Sequence, residues 1–134
     1  MMFKTIKGRE IAIDLRPSKW PRRTKEKCKS NFQWSVGQII DRVFPGQIVL
    51  EEFYVPGEKL RIDFFLPRLK LAVEVMGEQH YVYNSFFHGS KEAFVRSKQR
   101  DVRKEQWCKI NNIRLVKVDP DTSEEDVIKL LTDD

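Results

Sequence analysis

At 134 residues, with 40% hydrophobic residues and no stretch of roughly 18 apolar residues, the chain has the size of one soluble domain and excludes a membrane-spanning helix. The opening MMFKTIKGREIAIDLRP breaks its apolar positions with charges, unlike a secretory signal, and points to a cytoplasmic protein. Cys28 and Cys108 form no CxxC pair, which argues against a disulfide framework or a structural zinc site, and the formal net charge of +5 favours a polyanionic partner.

That charge is unevenly placed. Residues 1–37 hold ten Lys/Arg against three Asp/Glu, a net +7, whereas residues 38–134 come to −2. Residues 1–34 therefore read as a basic N-terminal arm ahead of a single domain over 35–134. Its densest part, RPSKWPRRTKEKCKS, carries Pro17 and Pro21, which oppose a regular helix, and sets Arg22, Arg23, Lys25 and Lys27 behind Trp20. Cations interleaved with an aromatic suit a nucleic acid; the plainer alternative is a solubilising tail.

Next comes a short helix, SVGQIIDRVF, with Ser35 as its cap and Val36, Ile39, Ile40 and Val43 at helical spacing, stopped by Pro45-Gly46. Residues 47–55, QIVLEEFYV, read as a strand, and Pro56-Gly57 as a turn. Residues 61–81, RIDFFLPRLKLAVEVMGEQHY, then alternate on both sides of Pro67. Leu60, Ile62, Phe64 and Leu66 share one parity and Leu71, Val73 and Val75 another, the pattern of a hairpin with one buried face. Reversal at Arg68-Leu69 would set Asp63 directly opposite Glu74.

Opposed like charges destabilise a sheet by about 0.2–1 kcal/mol, so packing alone gives no reason to keep them. A hard divalent cation does, since Mg²⁺ (or Mn²⁺) takes one or two carboxylates and completes its shell with water and phosphate oxygens. The alternative is that each acid pairs with a Lys or Arg. After the hairpin, 82–89 reads as an aromatic loop, Ser90 as the cap of a long helix to about Asn111, IRLVKV as a strand, and Thr122-Ser123-Glu124-Glu125 as a capping box opening a last helix through Leu131. The order α-β-β-β-α-β-α predicts an α/β (α+β) fold with a mixed central sheet of about four strands flanked by helices.

The leading helix, the Asp of RIDFF, the Glu and His of AVEVMGEQHY, and RDVRK ahead of IRLVKV, taken in this order, resemble the PD-(D/E)XK nuclease superfamily. Within it the nearest likeness is to the branch of very-short-patch-repair endonucleases and related phage homing endonucleases. The resemblance covers roughly residues 35–118 and implies a restriction-endonuclease-like core and, as the setting, a bacterial or phage-infected cell. It implies metal ligation by Asp63, Glu74 and the Val75 carbonyl, acid/base work by His80, Gln79 against phosphate or water, and Asp101 orienting His80 or a metal-bound water. Lys98, Arg100, Arg103 and Lys104 on the long helix would join Arg22, Arg23, Lys25 and Lys27 on the DNA backbone. Met76 stands where many members carry Lys, as in the His-bearing branch. Gln38 stands where the pattern usually has Glu; its amide oxygen can still ligate, and the alternatives are that the protein manages without that Glu, that Asp41 one turn later substitutes, that Gln was placed there to inactivate a Glu site, or that Gln38 faces solvent. The implied activity is a divalent-metal-dependent DNA endonuclease of nicking, homing or repair type, with RNA as a further polymer and a homodimer as one route to double-strand cutting. The rival expectation is a nuclease-fold module that binds nucleic acid without cleaving it.

Overall fold

The hairpin pairs as its alternation requires. In the computed structural model, which describes residues 1–77 and 91–133, Phe64 faces Val73, Phe65 faces Ala72 and Leu66 faces Leu71. A 3₁₀ turn at Pro67–Leu69 makes the reversal, closed by Lys70 at φ 50°. The strands are β4 (Arg61–Leu66) and β5 (Leu71–Val75), and continuing their register places Asp63 opposite Glu74.

Around this hairpin stand β3 (Leu50–Tyr54), antiparallel to β4, and β6 (Arg114–Val118), parallel to β5, in the order β3-β4-β5-β6. The fold is thus mixed α/β with a four-stranded mixed sheet. The parallel β5–β6 pair needs a crossover, and α2 (Lys91–Ile110) lies within it. The expected Ser90 cap and the 82–89 loop fall outside the described residues.

One expectation fails informatively. The parity of Leu60, Ile62, Phe64 and Leu66 predicted one buried face, but the sheet is buried on both. Phe64, Leu66, Leu71 and Val73 pack with Val36 and Ile40 of α1 (Asn31–Val43) and with Val127 and Leu131 of α3 (Glu124–Thr132). Leu60, Ile62, Phe65 and Ala72 pack on the other side with Leu50, Phe53, Trp107 and Cys108. The change of face along β4 coincides with the rung at Asp63. Opposite it on β3, between the Glu51↔Phe64 and Phe53↔Ile62 pairs, stands Glu52 at φ 52°, a left-handed conformation that side chains other than glycine rarely adopt.

The first helix also begins earlier than its apolar spacing suggested. Ser30 is the cap, its side chain accepting from the Gln33 amide at 3.0 Å, while Ser35 lies inside the helix and donates to the Asn31 carbonyl. Phe32 and Gln33 lengthen the buried face upstream, so helical periodicity alone dated the start too late. The last helix opens at the expected place, but its cap is one residue later than the Thr122–Glu125 box: Ser123 accepts from the Asp126 amide at 3.2 Å.

The first 30 residues are ordered onto this core. Two three-residue strands that the sequence did not reveal, β1 (Met2–Lys4) and β2 (Glu10–Ala12), form a small antiparallel ribbon. Asn111, just past α2, bonds both the amide and the carbonyl of Lys4. Phe3 is buried in an aromatic cluster with Phe65, at a centroid distance of 5.9 Å, and Trp107, at 5.6 Å; such pairs add about 0.5–1.5 kcal/mol each beyond area burial. Trp20 donates from its indole to the Asp14 carbonyl and stacks edge-on against Phe53 at 5.1 Å.

Candidate functional site

Asp63 and Glu74 are 7% and 6% exposed, buried where unpaired carboxylates are rare. Asp63 stands where the β4–β5 ladder ends, and its side chain replaces a backbone partner: Oδ2 accepts from the Val75 amide at 2.8 Å. Burial first, then the charge and hydrogen bond of Glu74, push the Asp63 carboxyl up to about 8, against the opposing pull of the Val75 amide and Lys29. Uncharged company would leave these two acids poorly solvated, so the surroundings supply cations.

Two lysines do so. Lys104 Nζ of α2 lies 2.8 Å from Glu74 Oε1. Burial lowers the Lys104 pKa, but the Glu74 carboxylate outweighs it, with help from Asp63 and Asp101, so the net shift is upward and the ammonium is held charged. On the other side Lys29 Nζ is 2.7 Å from Glu52 Oε1 and 3.9 Å from Asp63 Oδ1. The result is a chain of ionisable groups in which Lys29 on one side and Lys104 on the other flank the Asp63–Glu74 pair, with Glu52 beyond Lys29. Part of the pairing anticipated between these acids and basic side chains is therefore present, in the interior rather than on a solvent face.

Glu51 and Glu52 escaped attention in the sequence, although two adjacent acids inside the apolar run QIVLEEFYV were a usable signal. Glu51 is structural. It accepts from the Arg23 amide at 2.8 Å, Arg22 Nε at 3.3 Å, Gln33 Nε2 at 3.1 Å and Cys28 Sγ at 3.5 Å. Burial and Glu51 raise the Cys28 thiol, so it stays protonated at neutral pH. Glu52 is 6% exposed, and its Oε2 receives no hydrogen bond among the described residues.

The amide of α1 that reaches a carboxylate is Gln33, not Gln38, which is half-buried further along the helix. Asp41 is occupied by Arg22 Nη1 at 2.5 Å. Met76 is buried and its amide bonds the Val118 carbonyl, so no cation comes from that position. Asp101 lies one turn before Lys104 and acts on its charge. Gln79 and His80 lie outside the described residues.

The basic residues divide into two groups. Arg22, Arg23 and Lys104 are committed to Glu51 and Asp41, Glu52 and Glu74 respectively. Lys25, Lys27 and Arg100 are exposed, Arg103 is half-buried, and Lys98 sits over the Phe94 ring at 5.6 Å. Among the described residues no three His, Cys, Asp or Glu side chains converge on one point. None of their helices is long and apolar enough to cross a membrane.

No family model matches the chain, and no solved structure matches it. It is 42% identical over 64 residues to uncharacterized protein 033L of Invertebrate iridescent virus 3, covering 48% of this chain and 33% of that protein. It is 46% identical over 59 residues to uncharacterized protein 307L of Invertebrate iridescent virus 6, covering 44% of this chain and 30% of that protein. Over 63 residues it is 36% identical to uncharacterized protein 094L of Frog virus 3, covering 46% and 41%. The matches thus span about a third of the length of the first two relatives, and the likeness is to part of a set of viral proteins.

Proposed function

We propose that this chain is a divalent-metal-dependent endodeoxyribonuclease with a restriction-endonuclease-like core, of nicking, homing or repair type. The observation that carries the reading is the pair Asp63 and Glu74, each more than nine-tenths buried and opposed across one hairpin rung. Their oxygens suit a hard cation, and burial beside Glu74 raises the proton affinity of Asp63 even with Lys29 nearby. Asp63, Glu74 and the Val75 carbonyl would hold Mg²⁺ or Mn²⁺, with water and substrate phosphate supplying the other ligands. Such an ion would supply the acidity to activate a water and the charge to polarise the scissile phosphate. Lys104 fixes the Glu74 carboxylate, and Asp101 helps keep Lys104 charged. In this reading His80 moves the proton and Gln79 contacts phosphate or water, while Lys25, Lys27, Arg100 and Lys98 hold the backbone without reading sequence.

Lys29 and Lys104 favour a second reading, in which the ammonium groups replace the ion and the domain binds nucleic acid without cutting it. Plasmid nicking decides between them. Mg²⁺- or Mn²⁺-dependent nicking lost in Asp63→Ala and Glu74→Ala supports the nuclease; no nicking in either metal, or nicking indifferent to both substitutions, sinks it.

A further inference from the structure

Beside the acidic pair, the segment from Lys19 to Lys27 and the outer ends of β3 and β4 enclose a cleft of about 540 Å³. Its floor carries Glu52, whose Oε2 has no hydrogen-bond partner among the described residues. Its wall carries Tyr54, 45% exposed, with Trp20 at a ring distance of 6.0 Å. The Arg61 guanidinium lies 4.5 Å from the Tyr54 ring centre and bonds the Tyr54 hydroxyl.

Cations dominate the rim. Arg22 and Arg23 answer the two glutamates, but Lys19, Lys27 and Arg61 form no ion pair with an acid among the described residues. The cleft therefore joins two features: net positive charge from side chains not already neutralised, and an exposed ring. A positive groove with an aromatic platform is how proteins hold unpaired nucleotides, because every base has a face to stack. The volume falls within the about 300–1,000 Å³ of small-ligand sites.

We propose that this cleft receives one unpaired nucleotide of a nucleic-acid strand, its base against Tyr54 and its phosphate among Lys19, Lys27 and Arg61. The proposal rests on the nucleic-acid reading above and narrows it: the preferred substrate carries a single-stranded segment beside the bond at the acidic pair. Glu52 links the two places, since it lines the cleft and shares Lys29 with Asp63.

Fluorescence anisotropy with a labelled oligothymidylate and with a duplex of equal length, in EDTA, tests the cleft apart from cleavage. The single strand is expected to bind more tightly than the duplex. Tyr54→Ala should weaken single-strand binding by about fivefold or more and Tyr54→Phe should not, since base stacking on an aromatic is worth about 1–3 kcal/mol. Arg61→Ala should weaken it as well. Equal or tighter duplex binding, or Tyr54→Ala behaving as wild type, overturns the cleft while leaving the nicking assay to judge the metal site. Tyr54-dependent binding without nicking retains the cleft and removes the nuclease.

Discussion

Lys104 Nζ lies 2.8 Å from Glu74 Oε1, with 17% and 8% of their side chains exposed. The contact ties α2 to the end of β5 through two charges that have left water. Pairs of this kind are weak sources of net stability, yet breaking one strands its partner. Lys104→Met should therefore cost about 3 kcal/mol or more in urea unfolding, and adding Glu74→Gln should recover much of it. A cost below about 1 kcal/mol, the range of surface pairs, would show that Glu74 is better solvated than its burial implies.

Asp63 gives metal-free stability a distinctive pH dependence. Its folded pKa, pushed up to about 8 by burial and by Glu74, exceeds its unfolded value of about 4. Between these values the folded protein keeps a proton that the unfolded chain has released. The stabilisation is full below about pH 4 and is lost as pH rises through about 8. In EDTA, denaturant midpoints should fall across this window for the wild type and hold steadier in Asp63→Asn. Parallel curves for the two proteins would contradict the assignment.

Divalent cations should reverse that trend. If Asp63 and Glu74 hold Mg²⁺ or Mn²⁺, the ion binds the folded state alone, and at a hundred times its dissociation constant it adds about 2.7 kcal/mol. Thermal shift near neutral pH should then rise with added metal in the wild type and stay flat in Glu74→Gln. Sodium chloride at matched ionic strength separates ion coordination from simple screening.

Gly37 sets how closely α1 approaches the sheet. A Cβ there would stand 2.6 Å from Arg22 Nη2 and 3.2 Å from the Phe64 ring. Arg22 can swing away, but Phe64 is 1% exposed and held by the core. Gly37→Ala gains about 1 kcal/mol of helix propensity and meets overpacking of about 1–3 kcal/mol. A net loss is expected on chemical denaturation; a clear gain would mean that α1 can stand off from β4 without penalty.

Much of the central scaffold was legible because it follows from periodicity and caps. The reversal at Arg68-Leu69, the register that opposes Asp63 to Glu74, the last strand and the opening of the last helix to within one residue each need only local rules. What escaped depends on contacts distant in sequence. Met2–Lys4 and Glu10–Ala12 are too short to show alternation and are held by Phe3 in the core and by Asn111. Lys104 and Lys29 looked like free basic residues because nothing local marks a lysine for burial or for a carboxylate on another strand. Glu52 was hidden because strand patterning assumes an extended backbone throughout.

Glu52 also sets stability against use. A left-handed non-glycine residue costs about 1–2 kcal/mol, and here it keeps a buried carboxylate next to Asp63 and the cleft. Glu52→Gly should relieve that strain, while Lys29, 52% exposed at its side chain, turns to water. A melting temperature at or above that of the wild type is expected. Variants screened for heat resistance alone should consequently discard this acid early, and its persistence under a screen for nucleic-acid binding would show which of the two demands the chain was shaped to meet.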